Sequence, residues 1–267
     1  MFKKVFNEIL NKKKNLPKEV LEDKTLGKYK IVKTHKNNTQ LIYFPKNKIF
    51  KKFSRSTNGI LKIEAEYQGL RWYCKRNKVN SSYIIRKYIK KNNFASLDLK
   101  QIDGKKVKSW KTLRENYSFL IKVYNHYKKF SWNKKLLPIH GDLTLDNVIF
   151  KKNGIFIIDW EFFKSRKNFK GYDMAYLFLS SACLPYLSNV SFSNEDQKLF
   201  CKLWKLLIKQ KLNKNMLYSP FNFFSKNIKT DKILRGSYMI SRSKFFPFIT
   251  QTSQKKKILK LINSIKK

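Results

Sequence analysis

The residues with the most chemistry lie close together, between positions 138 and 161. Pro138-Ile139-His140-Gly141-Asp142 leads through Leu143-Thr144-Leu145-Asp146 to Asn147, and Asp159 follows after 11 intervening residues. Two apolar, β-favouring runs, 148–150 and 155–158, flank the turn-forming Lys151-Lys152-Asn153-Gly154. This pattern predicts a hairpin whose open end brings Asn147 and Asp159 together. If its register opposes 147 to 159, the two side chains share a face with Cβ atoms ~5 Å apart. A shift of one residue would put them on opposite faces. An amide oxygen and a carboxylate are hard ligands that suit Mg²⁺, whose remaining sites go to water and substrate phosphates. Asp142, on the loop before the hairpin, is a second carboxylate, able to orient an alcohol and accept its proton. Together these groups have the makings of phosphoryl transfer to a hydroxyl.

The elements that must position them fall into two parts. Residues 29–33, 41–44 and 48–53 read as short strands, separated by the turn-like HKNNT and PKNK. A helix follows, with Ile63, Tyr67, Leu70 and Cys74 on one apolar stripe. Residues 82–89 read as another strand, and polar residues 90–93 as a hinge. Beyond the hinge the pattern becomes helical. Trp110, Leu113, Tyr117, Leu120, Ile121 and Tyr124 trace one face of a long helix, and 172–184, 194–211 and 254–265 read as further helices, with Ser193 as an N-cap. A strand-rich first third followed by a mainly helical remainder implies an α+β fold of two lobes sharing a cleft, rather than an alternating parallel sheet. The expected division is 1–89 and 90–267.

The set His-x-Asp-x4-Asn, then Ile158-Asp159-Trp160-Glu161, then Tyr172-Asp173-Met174-Ala175 resembles the aminoglycoside phosphotransferase and choline kinase-like branch of the protein-kinase-like superfamily. The resemblance covers about residues 136–180. It implies a two-lobed protein-kinase-like fold with a small β-rich N-lobe and a larger, mainly helical C-lobe. It also implies ATP and Mg²⁺ as cofactors and a small molecule, sugar or lipid-linked head group as acceptor. Carried over by position, Asp142 is the catalytic base, Asn147 and Asp159 hold Mg²⁺, and His140 belongs to the catalytic loop as its brace. Glu161 either touches metal through water or shapes the loop, Asp173 anchors the loop to the following helix, and Asp146 is an ordinary loop acid. The superfamily also needs a strand lysine at the α/β-phosphates and a helix glutamate to hold it. Lys51 is the first choice and Lys52 the alternative, since strand side chains alternate. Glu66 falls on the apolar stripe, where a carboxylate demands a partner, whereas Glu64 falls off it. Residues 34–39 contain no glycine, and Trp-Glu follows Asp159. Both features argue against a regulated protein kinase.

Composition sets the outer bounds. The 267 residues, 42% hydrophobic and 15% aromatic, are enough to bury a sizeable core. Three widely spaced cysteines (Cys74, Cys183, Cys201) fit a reduced cytoplasmic protein. The first ten residues lack the long apolar stretch and cleavage site of a secretory leader. Phe2, Val5, Phe6, Ile9 and Leu10 fall at helical spacing among lysines, a helix expected to pack on its own protein, with an anionic inner membrane face as the other surface it could meet. Sixty Lys and Arg against 17 Asp and Glu give a net charge of +43. Such a field draws anions, so an anionic acceptor, such as a phosphorylated sugar or cell-envelope saccharide, matches better than choline or an aminoglycoside. Trp204, Tyr238, Arg242, Phe245 and Phe246 are candidates for its pocket. A biased genome would also produce a surface rich in Lys, Asn, Ile and Phe. The alternative reading is a catalytically idle, kinase-like basic module on nucleic acid or membrane. Against specific nucleic-acid binding, no helix-turn-helix, zinc-finger or RNA-recognition pattern occurs, and only eight of the 60 basic residues are Arg.

Overall fold

A computed structural model describes residues 20, 26–33, 39–129, 136–167, 169–187, 190–210, 212–230 and 253–265. The basic helix expected near the N-terminus, most of the 34–39 loop, and Tyr238, Arg242, Phe245 and Phe246 lie outside the described residues. The chain divides into two compact units, Met1–Ile102 and Asp103–Lys267. The first is built on an antiparallel sheet and the second is mainly helical, an α+β arrangement.

In the first unit, β1 (Lys30–Lys33), β2 (Gln40–Phe44), β3 (Ile49–Ser54), β4 (Ile85–Lys91) and β5 (Phe94–Lys100) form a five-stranded sheet in the order β1-β2-β3-β5-β4. Its core gathers Val20, Leu26, Ile42, Phe44, Ile49, Phe53 and Phe94. Between β3 and β4 runs α1 (Thr57–Arg76). Ser56 caps it by accepting the Gly59 N–H at 3.1 Å, which satisfies a donor that has no partner within the helix. Ile63, Leu70 and Cys74 of the expected stripe are buried, while Tyr67 stacks on Tyr88 with ring centroids 4.0 Å apart. Gly59 is where helix and strand meet most closely: a Cβ there would collide with the Ser54 side chain.

The hinge expected at residues 90–93 is instead the turn of a hairpin, with Lys91 paired to Phe94. The expected boundary after residue 89 therefore cuts through β4, and the division falls after Ile102. The strand missing from the sequence reading is β5, which pairs with β3 on one side and β4 on the other. Its first five residues, Phe94 to Asp98, are all buried. A strand covered on both faces loses the apolar–polar alternation by which strands are recognised.

In the second unit, Thr112 and Glu115 close a capping box at the start of α2 (Leu113–Lys128). Leu113, Leu120, Val123, Tyr124 and Tyr127 are buried, and Trp110 precedes the helix. The short β6 (Lys105–Lys106) and the hairpin of β8 (Val148–Lys151) and β9 (Gly154–Ile157) form one small sheet. β7 (Leu136–Ile139) and β10 (Lys164–Lys167) form another. The centre of the unit is α3 (Tyr172–Leu187), buried throughout residues 172–185. Around it lie α2 and α4 (Asn194–Ile208), followed by α5 (Lys214–Tyr218), α6 (Pro220–Thr230) and α7 (Ser253–Ile265). Trp204 is fully buried and donates its indole N–H to the Leu217 carbonyl at 3.0 Å, so it packs in the core rather than lining an acceptor pocket. Among the described residues no helix is long and apolar enough to cross a membrane.

One half-buried imidazole should make the second unit sensitive to acid. Burial, with help from the Lys129 charge, holds the His126 imidazole down at about 4. In the unfolded chain the same group takes its proton near the ordinary value of about 6.5. As pH falls from about 6.5 towards 4, the unfolded state binds more protons and the folded state loses ground. We expect thermal unfolding temperature to fall across this range and His126→Gln to flatten that fall. An unchanged slope in the variant would show that the acid sensitivity arises elsewhere.

Candidate active site

The pleat of β3 gives its two adjacent lysines opposite surroundings. Lys52 donates to Glu66 Oε2 at 2.6 Å, and Glu66 is 1% exposed. Glu66 thus holds a strand lysine from the buried face of α1, but that lysine is Lys52, not the preferred Lys51. Lys51 lies on the other face, with its ammonium 3.6 Å from Asp98 Oδ1 and 3.5 Å from the Val20 carbonyl. Asp98 is the residue directly opposite Lys51 on β5, and its Oδ2 accepts from Arg86 at 3.2 Å. A bulge between Ile85 and Lys87 leaves Arg86 as the extra residue of β4, and a bulge of this kind re-aims a side chain. The partners of the two lysines are not legible locally, because the apolar residues of IFKKFS occur at both parities and Asp98 sits on β5, whose strand character the sequence hides. Glu64 is a solvated rim acid, paired with half-exposed Lys90 at 2.8 Å. Lys62, one turn before Glu66 on α1, is also buried, which is rare for a lysine.

In the second unit the loop 140–142 is clamped by one carboxylate. Asp173, in the first turn of α3, accepts the His140 N–H at 2.8 Å and the Gly141 N–H at 2.9 Å. It also accepts the Tyr127 hydroxyl from α2. Burial pushes the Asp173 carboxyl above the usual carboxylate range, and its three hydrogen-bond donors pull it part of the way back. Gly141 has φ +87°, which glycine adopts without steric cost. His140 is fully buried. Its Nδ1 accepts the Asp142 N–H at 3.3 Å, so its Nε2–H donates to the Ile158 carbonyl at 2.8 Å. One ring nitrogen accepts and the other donates, which makes the imidazole neutral and defines its tautomer. His140 therefore ties the loop to the end of β9, and its ring rests against Trp160 with centroids 4.7 Å apart.

The hairpin forms where the sequence places it, but in the other register. Val148 pairs with Ile157, and the Ile158 N–H donates to the Asn147 carbonyl at 2.9 Å. Position 147 is thus opposed to 158, not 159: of the two registers the sequence leaves open, the hairpin takes the one shifted by a residue. Asp159 lies beyond the ladder and turns the chain with φ +65°, so the alternation of the strand does not set its direction. Aspartate is among the few non-glycine residues that tolerate this region, and such outliers gather at functional sites. The Asn147 amide nitrogen donates to the Asp142 carbonyl at 2.9 Å, which leaves its oxygen as the atom to offer a cation. Amide oxygen and carboxylate together fit Mg²⁺. Among the described residues no three His, Cys, Asp or Glu side chains cluster to hold a metal. An ion here would complete its shell with water and phosphate oxygens.

Asp142 itself is 8% exposed. Its Oδ1 accepts the Tyr176 hydroxyl at 2.5 Å, a contact that sequence reasoning missed because Tyr176 reads as one more core aromatic in YDMAYLFL. The only signal for it is the spacing of three from Asp173, which puts both on one face of α3. Asp146 is exposed and accepts the Ser109 N–H at 3.4 Å. Glu161 is half-buried.

The chain has the architecture of a β-rich unit followed by a helical unit that carries a clamped loop and hairpin. No family model matches the sequence, and no curated protein matches it. Solved structures similar in fold include an amicoumacin kinase, hAmiN, in complex with AMP-PNP, Ca²⁺ and Ami. It shares 12% identity over 99% of this chain and 96% of its own, with a TM-score of 0.49. A GDP and kanamycin complex of APH(2")-IIia shares 13% identity over 92% and 95% of the two chains, with a TM-score of 0.44. An aminoglycoside phosphotransferase from Alicyclobacillus acidocaldarius shares 9% over 94% and 96%, with a TM-score of 0.43.

Replacing Asp173 by alanine would strand two buried backbone N–H groups and the Tyr127 hydroxyl. We expect a loss of about 2–4 kcal/mol in denaturant unfolding. A loss below about 1 kcal/mol would show that the clamp contributes little.

Proposed function

We propose that this protein is an ATP-dependent phosphotransferase that phosphorylates a hydroxyl of a small molecule. The observation that carries the reading is the Lys52–Glu66 pair. Burying an ion pair costs desolvation that its attraction rarely repays with profit, and apolar residues would stabilise the unit as well or better. A buried glutamate bonded to a strand lysine is explained if the ammonium must be held ready for an anion, here the α/β-phosphates of ATP.

The other roles follow from chemistry at named atoms. Asp142 accepts the acceptor's hydroxyl proton as that oxygen bonds to the γ-phosphorus. The bridging β–γ P–O bond breaks and ADP leaves. Asn147 and Asp159 are the residues that would hold Mg²⁺, which when bound neutralises phosphate charge. His140 transfers no proton in this scheme; it sets the loop against the end of β9. The +43 charge favours an anionic acceptor such as a phosphorylated sugar over a polycationic one.

The test is nucleotide turnover with a panel of anionic sugars, choline and aminoglycosides. Asp142→Ala and Asp159→Asn should each lower turnover by about 10²-fold or more with folding retained. Lys52→Met should raise the KM for ATP, whereas Lys51→Met should lower the melting temperature by leaving Asp98 buried beside fewer cations. Equal turnover in wild type and Asp142→Ala would overturn the assignment and leave the idle basic module as the better reading. Exclusive use of a cationic acceptor would overturn the charge argument alone.

A further inference from the structure

We infer that the first unit carries a binding site of its own at the C-terminal end of α1, a pocket for a small aromatic anion with a planar ring and a phosphate or carboxylate. The pocket has a volume of about 360 Å³, within the range of small-molecule sites. One wall is α1 between Tyr67 and Lys75, and the other is the returning chain at Val79 and Ser81. The way α1 ends fixes that return. Lys78 has φ +55°, its N–H donates to the Lys75 carbonyl at 3.3 Å, and the Val79 N–H donates to the Cys74 carbonyl at 2.9 Å. These two bonds form a Schellman close, which folds the apolar residue after the turn back against the last helical turns. Asn80 then caps the short turn Ser81–Tyr83 by accepting the Ser82 N–H at 3.0 Å. Backbone bonds therefore preform the pocket.

Its chemistry is cationic and aromatic together. Tyr67 and half-buried Trp72 line it. Tyr67 is fixed by its stacking on Tyr88, the two rings 8° from parallel. The Arg71 guanidinium lies over the Tyr67 ring, 5.5 Å from its centroid, and Nη1 is 3.5 Å from the hydroxyl. A guanidinium already laid on a ring loses less freedom when its fork meets a phosphate or carboxylate. Lys75, four residues on, adds a second cation on the same side of the helix. No acid lines the pocket among the described residues. The half negative charge of a helix C-terminus works against an anion here. It is outweighed, because Arg71, Lys75, Arg76 and Lys78 are all exposed cations, and the Asn77 amide together with the Schellman bonds occupies the last carbonyls. The rings and Val79 add apolar contact that a lone surface lysine does not offer, which selects an anion carrying a ring.

The test is a titration of the full chain with 1-naphthyl phosphate at about 0.15 M salt, where the general field of a basic protein is screened beyond about 8 Å. The readout is the NMR signal of the Trp72 indole N–H, identified by its loss in Trp72→Phe. We expect that signal to move with a dissociation constant below about 0.1 mM. Arg71→Gln and Lys75→Gln should each weaken binding about tenfold. The neutral 1-naphthalenemethanol and ring-free inorganic phosphate should each bind at least about tenfold more weakly than the naphthyl phosphate. Lys122→Gln removes the same charge from an exposed position in the second unit and should leave binding within about twofold. A Trp72 signal that stays still up to about 1 mM probe overturns the inference. Equal weakening by Arg71→Gln, Lys75→Gln and Lys122→Gln also overturns it, since the field alone would then be acting, as does a neutral alcohol that binds as tightly. Arg71 and Lys75 are both exposed, so each variant should fold, and either one alone decides if the other does not. The measurement needs no turnover, so this site and the phosphotransferase reading stand or fall separately.

Discussion

The second unit is organised around one buried carboxylate. Asp173 cannot be buried cheaply, because a charge or polar group out of water must find partners. It finds them in two consecutive backbone N–H groups and a phenol. The need is mutual: the turn at Gly141 points those N–H groups inward, where they too require an acceptor. Loop and helix therefore form together. From there the constraint passes through the His140 ring to the Ile158 carbonyl, and so to the peptide just before Asp159. A single chain of hydrogen bonds thus sets the places of Asp142 and of the backbone that leads to Asp159.

The first unit solves a different problem with two lysines side by side. Lys51 and Asp98 are buried together, and Arg86, an exposed residue, reaches the same carboxylate. Lys52, one residue on, pairs with Glu66 on α1. Neighbours in sequence are thus separated by the pleat into a cation enclosed within the sheet and a cation paired to a helix. Breaking either arrangement leaves a buried carboxylate with one cation fewer. Both are costly to disturb.

Much of this was legible in the residues. The α+β order, the 148–157 hairpin and the apolar stripe of α1 follow from periodicity and turn chemistry, which are local properties. What escaped reading depends on partners distant in sequence. β5 hides because both its faces are covered, so Ser96 and Asp98 point into the protein like the apolar residues around them. The choice between Lys51 and Lys52 turns on where α1 and Asp98 lie, and neither is written in IFKKFS. The hairpin register was open in the sequence; the two-residue turn at 152–153, with Lys151 paired to Gly154, places Val148 opposite Ile157. Tyr176 looks like core until its hydroxyl is seen to have an acidic neighbour.

The close seat of Gly59 against Ser54 has a mechanical consequence. With no room for a side chain there, the N-terminal end of α1 is pressed onto β3 and acts as a fulcrum. Glu66 lies seven residues along, a lever arm of about 10 Å at 1.5 Å per residue. Tilting the helix by about 10° about that point carries the carboxylate about 2 Å, comparable to the whole 2.6 Å span to Lys52. The ion pair is thus a sensitive gauge of helix orientation, and whatever leans on the far end of α1 is read out at its middle.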